Sequence, residues 1–138
     1  MKGQYLTVEY MLFFAIGIAM VIAVYFTFSG IGDNVKANTA KSQIARTGEL
    51  IRTSIIKVFE TANETNSTIS YTVQIPTKIS GCIYLITANG NFLNLNCSSP
   101  PFSASVSLYG INTKTENIIY STSGRVNITS SGGGVVLS

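Results

Sequence analysis

Between Tyr10 and Gly32 the chain carries 23 consecutive residues without a charge. As a helix rising about 1.5 Å per residue, this run is roughly 34 Å long. The hydrocarbon core of a bilayer is about 30 Å thick, so the segment is long enough to cross one. A secretory signal peptide is the rival reading, but those have a shorter apolar core ending in a small-x-small cleavage site. Here the apolar run passes without a break into a polar helical stretch. Its basic and small residues, Lys2 and Gly3, lie in front of it.

Glu9 sits at the mouth of the run. A carboxylate near lipid costs several kcal/mol unless it is paired or lies at the interface. One reading places it at headgroup level in the first helical turn, where the helix dipole favours an acid. The other gives it a partner. If cleavage frees a new α-amino group at Gln4, a neighbouring copy brings that cation to Glu9, and the two charges neutralise each other only on assembly.

The residues Lys2-Gly3-Gln4, the hydroxyl of Thr7, Glu9-Tyr10 and Met11-Leu12-Phe13-Phe14 together resemble the class III signal peptide of archaeal type IV pilins. The resemblance covers roughly the first 30 residues. It implies that a prepilin peptidase cuts between Gly3 and Gln4, removing a leader of residues 1–3. It further implies that the apolar helix becomes the core of a homopolymeric surface filament raised by membrane assembly machinery. Glu9 would then be the sixth mature residue, where pilins usually carry this acid at the fifth. One extra residue turns a side chain by about 100° around a helix. Localisation follows from the same resemblance: cell membrane for the precursor, then an extracellular filament.

The sequence has 138 residues and a net charge of +3. Five of the nine basic residues are Lys36, Lys41, Arg46, Arg52 and Lys57, and from Thr65 onward only Lys78, Lys114, Glu116 and Arg125 are charged. A nucleic-acid binder needs a basic face with interleaved aromatics or a recognisable module. Neither is present, so no nucleic-acid partner is expected. Under the positive-inside rule Lys2 argues for a cytoplasmic N-terminus, whereas Lys36, Lys41 and Arg46 argue the reverse. The leader motif outweighs that count.

Beyond Ser29-Gly30-Ile31-Gly32, where two glycines predict a bend or weak point, a helical pattern resumes over 33–61. Ala40, Ile44, Thr47, Ile51, Ile55 and Val58 recur every three or four residues, with Leu50 and Phe59 flanking them. One helix of 50 or more residues is predicted, apolar all round over 4–32 and amphipathic over 33–61. Thr61 to Thr68 reads as a loop. Residues 62–138 then form an extracellular β-rich domain of about seven short strands: 69–75, 82–88, 91–97, 102–109, 117–121, 125–129 and 135–138. Ser98-Ser99-Pro100-Pro101 breaks the chain, and Ser130 to Gly134 forms a turn. The fold class is α+β, a long N-terminal helix followed by a small antiparallel β-sheet or β-sandwich.

Cys82 and Cys97 frame a hairpin. Asn89-Gly90 is a strong two-residue turn signal, and the register it predicts sets Ala88 opposite Asn91, Ile86 opposite Leu93, Tyr84 opposite Leu95 and Cys82 opposite Cys97. A disulfide is therefore favoured, implying an oxidising exterior. Two buried free thiols are the alternative. A metal site is disfavoured, because no histidine or further cysteine completes four ligands. Asn63, Asn66, Asn96 and Asn127 each match the N-glycosylation sequon. Some matches arise by chance in a chain this rich in Asn, Ser and Thr, but a domain poor in charge needs hydroxyls, amides or sugars to stay soluble.

No catalytic residues are found. There is no histidine for general base work, and after Glu64 the only acid is Glu116. No glycine-rich loop opens a helix that could cradle a phosphate. No cofactor is expected. The readings in play are a structural filament subunit, a minor pilin-like or single-pass anchored binding module, and, remotely, a stalked enzyme. The first is favoured as an adhesive pilus, ahead of a motility filament.

Overall fold

The computed structural model describes residues 2–131 and 133–138. Met1 of the expected leader and Gly132 of the expected turn lie outside the described residues. The chain divides into two compact units, Met1–Ala37 and Asn38–Ser138. One helix, α1 (Lys2–Thr65), contributes to both.

In the first unit the helix is solvent-exposed over residues 3–37, with Tyr5, Met11, Phe14, Val21 and Phe28 all more than two-thirds uncovered. The two glycines at 30 and 32 do not interrupt it. The expected weak point is therefore helical, at a cost of up to about 1 kcal/mol per glycine.

In the second unit the helix continues to Thr65, past the loop expected from Thr61. The polar residues that suggested a loop are accommodated by back-bonding: Thr61 and Thr65 donate their hydroxyls to the carbonyls of Lys57 and Thr61, at 2.8 and 2.7 Å. Such bonds satisfy a mid-helix hydroxyl without breaking the backbone ladder. The end itself is a Schellman cap. Asn66 takes the left-handed conformation (φ 49°) and the Ser67 N–H donates to the Ala62 carbonyl at 3.2 Å, an arrangement in which Asn is tolerated second to Gly.

Eight strands follow: β1 (Ile69–Gln74), β2 (Tyr84–Gly90), β3 (Phe92–Ser98), β4 (Pro101–Ser107), β5 (Thr113–Thr115), β6 (Ile119–Tyr120), β7 (Arg125–Ser130) and β8 (Val135–Leu137). They form one sheet in the order β1-β7-β8-β5-β2-β3-β4, with β6 also on β2. The architecture is thus α+β with a single sheet, not a sandwich. All pairings are antiparallel except β5 with β8, which is parallel. Strand β5 is the element missing from the sequence reading. Thr113-Lys114-Thr115 has no apolar alternation, and the strand exists because β2 and β8 flank it.

Two further differences concern turns. The β2–β3 register pairs Asn89 with Phe92 and Tyr84 with Cys97, so the turn residues are Gly90-Asn91 rather than Asn89-Gly90. Gly90 has φ 60°, which suits the first central position of a type II′ turn. Because the slip is two residues along the facing strand, every side chain keeps its expected face. Pro101 does not lie in a break. It opens β4 opposite Ser98 at a sheet edge, where a missing N–H is tolerated.

One face of the sheet and one stripe of α1 form the core. Ala40, Ile44, Thr47, Ile51, Ile55 and Val58, the stripe read from the sequence, are all buried, as is Ala62. They meet Val73, Ile86, Leu93, Leu95, Val126, Ile128 and Leu137 from the inward positions of the strands. Helix and sheet pack tightly at Gly48. A Cβ placed there would lie 2.8 Å from Val106 Cγ2 and 3.3 Å from Leu95 Cδ1.

Candidate functional site

The N-terminal segment holds the residues with the most distinctive chemistry. Gly3 and Gln4, the expected cleavage pair, both lie in α1 and are exposed. Thr7 donates its hydroxyl to the Gly3 carbonyl at 2.9 Å. Glu9 is exposed. From Tyr5 to Ile31 the large apolar side chains of the helix are uncovered within the chain. An 18-residue window of α1 reaches a mean hydropathy of 2.4. The segment is long and apolar enough to cross a membrane, and is compatible with membrane anchoring.

Cys82 and Cys97 form a disulfide, with Cα atoms 6.3 Å apart, inside the range a bridge requires. They are not direct ladder partners. Tyr84 takes the position opposite Cys97, and Cys82 lies before β2 in a tight turn that it closes with Ile79. Ser80 and Gly81 both have positive φ there, 49° and 80°. The bridge ties this turn to β3. Replacing both cysteines with serine is expected to cost about 3 kcal/mol by the chain-entropy model, read as a lowered midpoint in denaturant with reductant absent.

The four sequon asparagines occupy different settings. Asn63 is exposed in the last turn of α1, Asn66 is its exposed left-handed cap, and Asn96 is exposed on β3. Asn127 is half-buried in β7, between β1 and β8, and its Oδ1 accepts a 2.7 Å hydrogen bond from the Thr72 hydroxyl. Around them the outward sheet face is mostly uncharged and polar, with Lys114 of β5 and Arg125 of β7 exposed on it. Ser70 and Thr129 share a hydrogen bond at 3.2 Å, and Asn94 and Asn96 stand opposite Ser105 and Ser103.

Two polar contacts have no signature in the sequence. Tyr84 is fully buried and donates its hydroxyl to the Pro76 carbonyl at 2.6 Å. Burial pushes this phenol from 10.0 up to about 12, the Thr47 hydroxyl opposing the shift. Below pH 10 the phenol is neutral in folded and unfolded chains alike. Above it the unfolded phenol ionises while the folded one does not, so stability is lost as pH rises from 10 towards 12. The loss is on the order of 2–3 kcal/mol. Tyr84→Phe is expected to remove that component of the alkaline slope in thermal unfolding measured across this window. On the surface, Arg52 binds Glu49 at 2.8 Å and lies 5.2 Å from the centre of the Tyr109 ring.

Among the described residues no group of three or more His, Cys, Asp or Glu side chains is placed to hold a metal ion. The family model that matches residues 2–138 is described as a family of unknown function (DUF7266). The chain belongs to this family. The match takes in the N-terminal helix and the sheet domain together, so both are features of one family unit. No curated protein and no solved structure is matched by the chain.

Proposed function

We propose that this protein is the structural subunit of an archaeal type IV-like adhesive pilus. The prepilin peptidase removes residues 1–3, and membrane assembly machinery transfers the helix from the bilayer into a homopolymeric surface filament. The observation that carries the reading is the uncovered apolar helix preceded by Lys2-Gly3-Gln4 and containing Glu9. At about 25 cal/mol per Å², the apolar surface of such a helix supplies tens of kcal/mol in gross terms when neighbouring copies cover it. Lipid covers it equally well, so transfer into a filament has to be driven by the machinery. Glu9 offsets its desolvation by meeting a cation of another copy.

The sheet domain supports the exterior end of this reading. It carries a disulfide, which persists in oxidising surroundings, and an outward face mostly of hydroxyls and amides, with Lys114 and Arg125 among them, suited to solvent, glycans or adhesion. Asn63, Asn66 and Asn96 are the exposed sequons and the better glycan acceptors. The same helix could serve a minor pilin-like protein or a single-pass anchor displaying a binding domain.

The test is to shear surface filaments from cells and identify their subunits. This chain as the principal protein of the sheared fraction, with filaments lost on deletion of its gene, is the expected result. Retention of the chain in the membrane fraction alone leaves the anchored module as the reading.

A further inference from the structure

Within the Asn38–Ser138 unit a groove of about 430 Å³ opens between α1 and β1. Leu50 and Val58 wall it on the helix side, Ile69 and Tyr71 on the strand side, and Lys57 is its one charged lining residue among those described. Leu50 and Tyr71 are 47% and 54% exposed. Strand β1 is an edge of the sheet, bonded only to β7, so one side of its backbone is open beside the groove.

The polar groups of the groove are unequal. Thr53, Ser54 and Thr61 donate their hydroxyls to carbonyls of their own helix, at Glu49, Leu50 and Lys57. Lys57 has no carboxylate within 4.0 Å among the described residues, where the one ion pair is Arg52 with Glu49. The groove therefore presents apolar walls and a single unpaired cation. Its complement is an apolar rod bearing a single acid. Residues 4–32 of this chain fit that description: Glu9 is their only charge, and Tyr5, Leu6, Tyr10 and Leu12 around it are exposed.

We infer that this groove takes the N-terminal segment of a second copy, with Glu9 of that copy set against Lys57. The inference rests on the filament reading and names a contact within it. Glu9 and Lys57 belong to one unbroken helix, so the pair forms between copies. Apolar burial draws the segment in, and the ion pair fixes its register, since a buried charge left without its partner is strongly disfavoured.

Zero-length carbodiimide coupling of sheared wild-type filaments tests the contact, because it joins only a carboxylate and an amine already touching. The expected result is a covalent dimer on a denaturing gel whose digest contains a peptide linking Glu9 to Lys57, absent from Lys57→Gln filaments. Lys57→Glu and Glu9→Lys should each reduce filament yield by about a hundredfold or more, and the two together should recover it to within about threefold. Filaments that contain this chain but give no such peptide, with Lys57→Glu at wild-type yield, overturn the contact and leave the filament reading standing. Weaker membrane association of Lys57→Glu without a crosslink assigns Lys57 to anionic lipid and overturns it too. Absence of the wild-type chain from sheared filaments removes both readings.

Discussion

Gly48→Leu is expected to destabilise the Asn38–Ser138 unit by about 3 kcal/mol or more, read as a lowered thermal midpoint. Gly48 lies on the buried face of α1, and the first carbon of any side chain there falls 2.8 Å from Val106 Cγ2. Val106 is β-branched and held in β4, so it has no alternative rotamer that clears the space at low cost. Overpacking a well-filled core costs about 1–3 kcal/mol, occasionally more. Leucine adds three further carbons beyond the one that already collides. A unit of this size has a total stability of only about 5–15 kcal/mol. In helix propensity alone the change would be favourable by close to 1 kcal/mol, so destabilisation isolates the packing term. Gly30→Leu is the control. No atom lies within 4 Å of a Cβ there, and thermal unfolding of the sheet domain should be unchanged. Equal midpoints for the two variants would show that helix and sheet do not meet at Gly48.

Glu9→Ala is expected to leave the protein in the membrane and reduce filament yield severely, without altering the thermal unfolding of the sheet domain. The substitution removes the one charge from residues 4–32, so the segment becomes more compatible with lipid and loses its charged partner in the filament. Breaking one half of a desolvated ion pair costs about 3–5 kcal/mol, enough to shift a partition between bilayer and filament by more than a hundredfold. Quantifying the protein in sheared and membrane fractions checks this. Normal filament yield would remove Glu9 from the assembly mechanism.

The parts of the fold that were legible in the sequence are those set by periodicity. The stripe from Ala40 to Val58 predicted the buried face of α1 residue by residue, because burial of one helical face leaves a repeat of three to four. The alternation in β2 and β3 likewise gave the correct inward face. Their register came out two residues away, since Asn89-Gly90 and Gly90-Asn91 are both acceptable hairpin turns and only the surrounding sheet chooses between them. Strand β5 was illegible for a related reason. Its pairing is with β2 and β8, one of them parallel, and neither leaves a local mark in Thr113-Lys114-Thr115. The helix end was misplaced because hydroxyl and amide residues serve equally as loop formers and as back-bonded helical residues. Only the packing of the neighbouring turns decides between the two.

At the candidate site the division is similar. The disulfide could be read, although the reason given for it, direct opposition across the ladder, is not the geometry found. The bridge instead ties the Ile79–Cys82 turn to β3. Gly48 carried no individual mark in the sequence and is a point of tight helix–sheet packing, against Val106 and Leu95. Tyr84 looked like one alternating residue among several and carries a buried hydrogen bond. Lys57 was one of five clustered basic residues with no individual mark, whereas an edge strand beside it makes a groove. Each depends on the groups packed opposite, which no window of sequence contains.

The mass of the N-terminal peptide of this protein in filaments sheared from the cell surface tests the central claim most directly. Removal of the leader and assembly together predict a peptide that begins at Gln4, as free glutamine or cyclised to pyroglutamate. A sheared fraction without the protein, alongside a membrane fraction in which Met1-Lys2-Gly3 is intact, would contradict the account and leave a single-pass anchor carrying a small β-sheet domain.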